Sequence, residues 1–245
     1  MHRHAVSRDA GFSMIELLVA LLIGLFLLFG LSAVLQTNKR TFTSQNLLSQ
    51  LQDSERLAAT MMNDVIEQTG YFPNPTTSTA ALSFPATTLF STAGQSIYGT
   101  YSTSTQGDSI SVRYTAAANS TTPINCTGGS NSAGGASATY VNTFSVAVNA
   151  NNVSQLVCTM NGTTYPLINN VTNLKVMYGV NDSGSGNNVD TYMNASQVPN
   201  WNNVVSVKIT LTFSNPLVGA PGQPTNSNLQ LIQLTRTINI MQQTG

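Results

Sequence analysis

The chain has 245 residues, enough for one sizeable domain with an appendage, and only 7% of them are Asp, Glu, Lys or Arg, against about 25% in an average soluble protein. Hydrophobic content is an ordinary 41% and the formal net charge is zero, so Asn, Ser, Thr and Gly have replaced the missing charge. A neutral chain lacks the electrostatic footprint of generic nucleic-acid binding, which makes nucleic acid an unfavoured partner outside a small local basic patch.

Residues 1–11 read MHRHAVSRDAG, a short polar stretch with Arg3, Arg8 and both histidines, His2 and His4. Residues 12–35 follow as FSMIELLVALLIGLFLLFGLSAVL, apolar except for Ser13, Glu16 and Ser32. The length meets the roughly 20 residues a helix needs to span a bilayer. The basic flank predicts that the N-terminus stays cytoplasmic. A secretory signal has a shorter apolar core with a small-residue A-x-A site behind it; neither is found here. Glu16 is the awkward residue, because a carboxylate within a membrane helix costs about 2.5–3.5 kcal/mol on insertion scales. Taken alone, it fits a charge snorkelling to the interface as well as it fits a functional group.

The string Gly11-Phe12-Ser13-Met14-Ile15-Glu16-Leu17-Leu18-Val19 closely resembles the type IV prepilin processing motif. The resemblance implies cleavage of the Gly11–Phe12 bond by a membrane peptidase acting from the cytoplasmic side, then methylation of the new Phe12 amine. It casts Glu16 as the carboxylate that pairs with a neighbouring subunit's N-terminal amine in a growing filament. Two opposite charges buried together cost far less than either alone. Removal of the leader leaves no histidine, and with it go His triads, His general bases and His metal ligands. One departure from many major pilins is the lack of a proline in this run, which carries Gly24 and Gly30 instead, each weakening a helix by about 1 kcal/mol relative to Ala.

Residues 36–70 are amphipathic. Leu47, Leu51, Ala58, Met62 and Val65 fall near helical spacing, with Leu48, Met61 and Ile66 widening the stripe. Lys39, Arg40, Asp53, Glu55, Arg56, Asp64 and Glu67 cluster on the same segment. With no proline before Pro73, one helix over residues 12–70, about 90 Å long, is predicted to stop at Gly70. Its first half (12–35) is expected in the membrane and later in a filament core. Its second half (36–70) is expected to pack on a head formed by residues 71–245.

Charges thin out beyond Gly70, and residues 74–139 read mostly as surface loop, with a weak strand at 110–114. Cys126 and Cys158 are the only cysteines. In a translocated protein an even pair most simply forms one disulfide, tethering a flexible loop at 125–137; two buried free thiols are the alternative. Neither has the CxxC spacing of a redox or zinc site. Alternation at Phe144/Val146/Val148, at Leu174/Val176/Tyr178 and from Val205 to Phe213 predicts half-buried antiparallel strands. Over residues 229–240 the apolar phase slips between Leu231 and Ile232, which predicts a β-bulge. The fold class expected is α+β: a pilin-like long N-terminal helix packed on an antiparallel β-sheet head.

The anchor, the helix end NDVIEQTGYF, and the stretches LINNVTNLKVMYGVNDSGSGNNVDTYM and VPNWNNVVSVKITLTFSNP are similar to PilW-type minor pilins. That resemblance implies a structural subunit, with no cofactor, in a minor-pilin complex that primes assembly of a type IV pilus and sits at or near its tip. The implied partners are other minor pilins, the major pilin, the prepilin peptidase, the inner membrane before assembly and, as a further candidate, a tip adhesin. The implied location is the bacterial inner membrane, single-pass with the head in the periplasm, and then the extracellular pilus. Alternatives are a minor pseudopilin of a type II secretion system, or a tip adhesin or DNA-uptake pilin. The head's Arg113, Lys175, Lys208 and Arg236 announce no basic patch, and an enzymatic reading lacks a nucleophile motif and a general base. Residues 181–186 with Asp182 and Asp190 faintly resemble a calcium loop but lack the closing acidic ligand; a Gly/Ser/Asn turn accounts for them equally. The Asn-x-Ser/Thr sequons at Asn119, Asn125, Asn152, Asn161, Asn170 and Asn194 follow from composition. Tyr98, Tyr101, Tyr114, Tyr140 and Trp201 are candidates for a sugar- or surface-binding patch, with core packing as the default.

Overall fold

The computed structural model describes residues 11, 13–183, 188–218 and 231–241. The expected leader residues 1–10 and Phe12 lie outside the described residues, as do Gly184, Ser185 and Gly186 of the calcium-like loop.

One unbroken helix, α1 (Met14–Glu67), opens the fold and is about 80 Å long at 1.5 Å per residue. It ends before the predicted Gly70: Gln68 is the C-cap, and Thr69 bonds back to the Ile66 carbonyl through both its N–H and its hydroxyl. Gly70 then takes φ 80°, a conformation open to glycine at little cost, and its N–H donates to Arg113 O at 3.0 Å. The stop signal was therefore real but marks the exit turn, not the last helical residue. Leu51, Ala58, Met62, Val65 and Ile66 are buried, while Leu48 is exposed and Leu47 half-buried beside Phe213, so the fully buried face starts at Leu51.

The head holds two antiparallel sheets. One has the order β1 (Ile97–Thr100), β2 (Ser109–Ala116), β3 (Ala138–Val148), β4 (Ser154–Met160), β5 (Thr163–Asn169). The other has β7 (Thr191–Met193), β6 (Val171–Val180), β8 (Val204–Phe213), β9 (Ile232–Asn239). A short α2 (Ala80–Ser83) precedes β1, and a 3₁₀ turn at Trp201–Asn203 precedes β8. The α+β architecture is as expected: long apolar helix first, antiparallel sheets after. Both sheets and α1 share one core, in which Met62 and Ile66 join Ile110, Phe144, Leu174 and Leu211.

Strand positions depart from the sequence reading in three places. The 110–114 strand is longer, and the region taken as loop contributes buried anchors at Phe84, Phe90 and Ile97. In β8 the alternation breaks at its start: Val204 is buried and Val205 only half-buried, because the register shifts between Gly179 and Val180 and leaves Val205 as an extra residue on β8. No bulge occurs at Leu231/Ile232. The β8–β9 ladder is regular from Phe213↔Ile232 to Ser206↔Asn239, and Leu231 lies outside the strand, so the phase slip in sequence is simply the strand's end.

The sheets are joined by Asp108. This buried residue accepts hydrogen bonds from Ser102 N–H at 2.9 Å and Val176 N–H at 3.0 Å, and pairs with Lys175 Nζ at 3.3 Å. Its own N–H donates to Leu174 O at 2.7 Å. Charged hydrogen bonds of this kind contribute more than neutral ones, and a buried donor left bare costs its desolvation. Asp108→Ala is expected to destabilise the full chain by about 3 kcal/mol, with Asp108→Asn milder, as measured by denaturant unfolding in detergent.

Candidate functional site on the N-terminal helix

Residues Ser13 to Glu16 form a capping box at the start of α1. The Ser13 hydroxyl accepts from Ile15 N–H and Glu16 Oε2 accepts from Ser13 N–H, both at 3.4 Å. The carboxylate is thereby turned back toward the segment that precedes the helix, at the end where backbone N–H groups leave partial positive charge. The Ser-x-x-Glu pattern before an apolar run announces such a box, and the sequence reading passed over it. Gly11 is exposed, and a Cβ built on it meets nothing within 4 Å. No packing among the described residues requires glycine there.

Among the described residues nothing covers the apolar half of α1. Ile15, Phe26 and Phe29 are 71%, 77% and 79% exposed, and α1 is long and apolar enough to cross a membrane. Cβ atoms at Gly24 and Gly30 would likewise meet nothing. Past Leu35 the helix is still exposed through Thr43, and its polar groups turn inward on the helix itself. Thr37, Thr41 and Thr43 hydroxyls donate to the carbonyls of Ala33, Thr37 and Lys39 at 2.9–3.0 Å.

Cys126 and Cys158 are joined in a disulfide between a loop and β4. The loop is held further than the sequence foretold. Asn142, buried on β3, accepts from Cys126 N–H and donates to the Tyr114 hydroxyl, each at 3.1 Å, and that hydroxyl donates to Ile124 O at 2.5 Å. Burial pushes the Tyr114 hydroxyl's pKa up, keeping it a donor.

The other candidates are dispersed. Asp190 is fully exposed, and its Oδ2 accepts from Ser183 N–H at 2.8 Å; hydrogen bonds from Ser183 hold its carboxyl below the ordinary value. Among the described residues no group of three or more His, Cys, Asp and Glu gathers. Arg113 is buried, donating to the carbonyls of Gln95, Pro85 and Phe84 and stacking on Phe90 at 4.4 Å. Burial pulls its pKa down to about 10, so it stays charged at neutral pH, with its donors spent on those backbone carbonyls. Lys175 is committed to Asp108. Lys208 pairs across from Thr237 and Arg236 from Ile209, which puts these two cations on opposite faces of the sheet. The aromatic candidates divide too. Trp201 packs on Tyr98 at 5.2 Å and on Tyr178 at 4.9 Å, Tyr114 lies against Tyr140, and Tyr101 sits under Lys175. Asn119, Asn152, Asn161 and Asn170 hold positive φ, a conformation Asn tolerates in turns, and Asn125 and Asn194 accept from Thr127 and Ser196 two residues on.

Two family models match the chain. Residues 6–32 match the prokaryotic N-terminal methylation motif, and residues 143–241 match Type IV Pilus-assembly protein W. Both parts of the resemblance read from the sequence therefore stand. No curated protein and no solved structure matches.

The disulfide closes a sequence separation of 32 residues, and the chain-entropy model assigns such a loop about 3–4 kcal/mol. Cys126→Ala with Cys158→Ala is expected to lose about that much stability in denaturant unfolding of the full chain, with α1 helicity by circular dichroism retained.

Proposed function

We propose that this protein is a minor pilin of a type IV pilus, a subunit of the complex that primes filament assembly at or near the tip. The observation that carries the reading is the pairing of a matched methylation motif with an uncovered apolar helix that runs unbroken into a head of the PilW type. The methylation motif and the apolar helix point to membrane anchoring and a pilus, and such families are structural.

In this account the leader, residues 1–11, is removed at the Gly11–Phe12 bond from the cytoplasmic side, and Phe12 is methylated. Residues 12–35 hold the chain in the inner membrane with its head in the periplasm, and residues 36–70 tie that span to the head, residues 71–245. Within lipid, apolar side chains gain nothing by exchanging tails for a neighbouring helix, so association there rests on packing and on polar contacts. The capping-box position of Glu16 supports its role as that polar contact. Its carboxylate already faces the helix start, where a neighbour's methylated amine would replace the long bond to Ser13.

Gly11→Val is expected to leave the precursor uncleaved and membrane-retained with few or no surface pili, followed by immunoblot and electron microscopy. Glu16→Val is expected to be cleaved normally yet fail to enter pili. Normal processing and normal piliation in Gly11→Val would overturn the reading.

A further inference from the structure

β9 is the last strand of its sheet, and no strand among the described residues pairs with its outer edge. Ile240 N–H donates inward to Val205 O at 3.1 Å, while Met241 N–H donates outward to Glu67 O at 3.2 Å. The antiparallel alternation then turns the N–H and C=O of Gln233, Thr235, Thr237 and Asn239 away from β8. None of these outward backbone groups has a partner among the described residues.

The other sheet edges are blunted. β1 has four residues and β7 three, and β5 carries Pro166 beside a register shift at Leu156/Val157. Short strands, prolines and bulges are the usual defences of an edge. β9 has eight residues, no proline and no register shift. Beside it, a groove of about 500 Å³ separates β9 from α1, its charged lining being Glu55, Arg56 and Asp64 from α1 and Arg236 from β9. Arg236 is exposed and makes no ion pair among the described residues.

We propose that the free edge of β9 is a strand-addition site for an extended segment of a different pilin subunit, one that places a carboxylate opposite Arg236. This rests on the minor-pilin reading. Unpaired ladder groups accept an extended backbone, the groove beneath takes its alternate side chains, and Arg236, with no ion pair among the described residues, favours a carboxylate opposite it. A second copy of this chain fits poorly. Two β9 strands in the antiparallel register that uses all four outward residues bring Arg236 against Arg236, and like charges directly opposite destabilise a pair.

The test uses the full chain in detergent, co-expressed with the other minor pilins of the same pilus. Failure of the wild-type chain to co-purify with any of them would count against the minor-pilin reading itself. Thr235→Pro and Thr237→Pro each remove an outward N–H and leave the β8 ladder intact. Each is expected to cut partner recovery at least about tenfold without shifting the melting temperature of the free chain. Arg236→Glu is expected to weaken recovery, and Arg236→Lys to preserve it. In wild type, exchange at the amides of residues 233, 235, 237 and 239 is expected to be fast in the free chain and at least about tenfold slower in the complex. That wild-type measurement decides the matter alone if a proline variant unfolds. Unchanged partner recovery by stably folded proline variants, or equal exchange in the free and complexed states, would overturn the proposal.

Discussion

The whole structure answers to one constraint: sixteen large apolar side chains between Met14 and Leu35 stand exposed on a helix with no covering partner among the described residues. Full burial of such side chains is worth about 1.5–3 kcal/mol each, so the run as a whole represents some tens of kcal/mol. Against that, one carboxylate at Glu16 costs about 3 kcal/mol in a membrane. The run wins by an order of magnitude and must be covered by lipid or by the helices of neighbours. A head that could not fold independently of that choice would be of no use, and this one gathers its core around the other half of the helix.

That division makes α1 a shared element with two environments. From Leu51 onward its buried side chains belong to the same core as both sheets, and Met241 N–H on the Glu67 carbonyl fixes the far end. Ahead of Leu51 only a half-buried Leu47, which shares a groove with Phe213 and Pro216, meets the head. The long reach of an exposed polar stretch between these halves, with threonine hydroxyls bonded back onto the helix, separates the membrane from the head without breaking the helix. Within the head, scarcity of charge gives each buried ion a fixed task. Asp108 joins the two sheets, and Arg113 pins the segment that follows α1.

Much of this was legible in the residues. The apolar run, the amphipathic stripe and the strands around Phe144, Leu174 and Ile209 follow from periodicity, because each buries a face against a core with a fixed repeat. What escaped were features set by partners distant in sequence. The slip at Val205 depends on where Gly179 and Val180 sit on the neighbouring strand. The apparent bulge at Leu231 vanished because strand ends follow from pairing, which a run of apolar residues does not reveal. The loops between Pro73 and Ile97 looked solvent-borne, yet Phe84 and Phe90 are buried against Arg113, a cation that reads as surface in sequence. The capping box was local and readable; only its chemistry as a helix start was overlooked beside the processing motif that contains it.

The account stands or falls on what becomes of the N-terminus. Intact mass and N-terminal peptide mass spectrometry on the protein recovered from sheared, purified pili tests this directly. The account predicts a chain that begins at Phe12 and carries one added methyl group on its terminal amine. A chain that still begins at Met1, or one cut behind the apolar run, would contradict it.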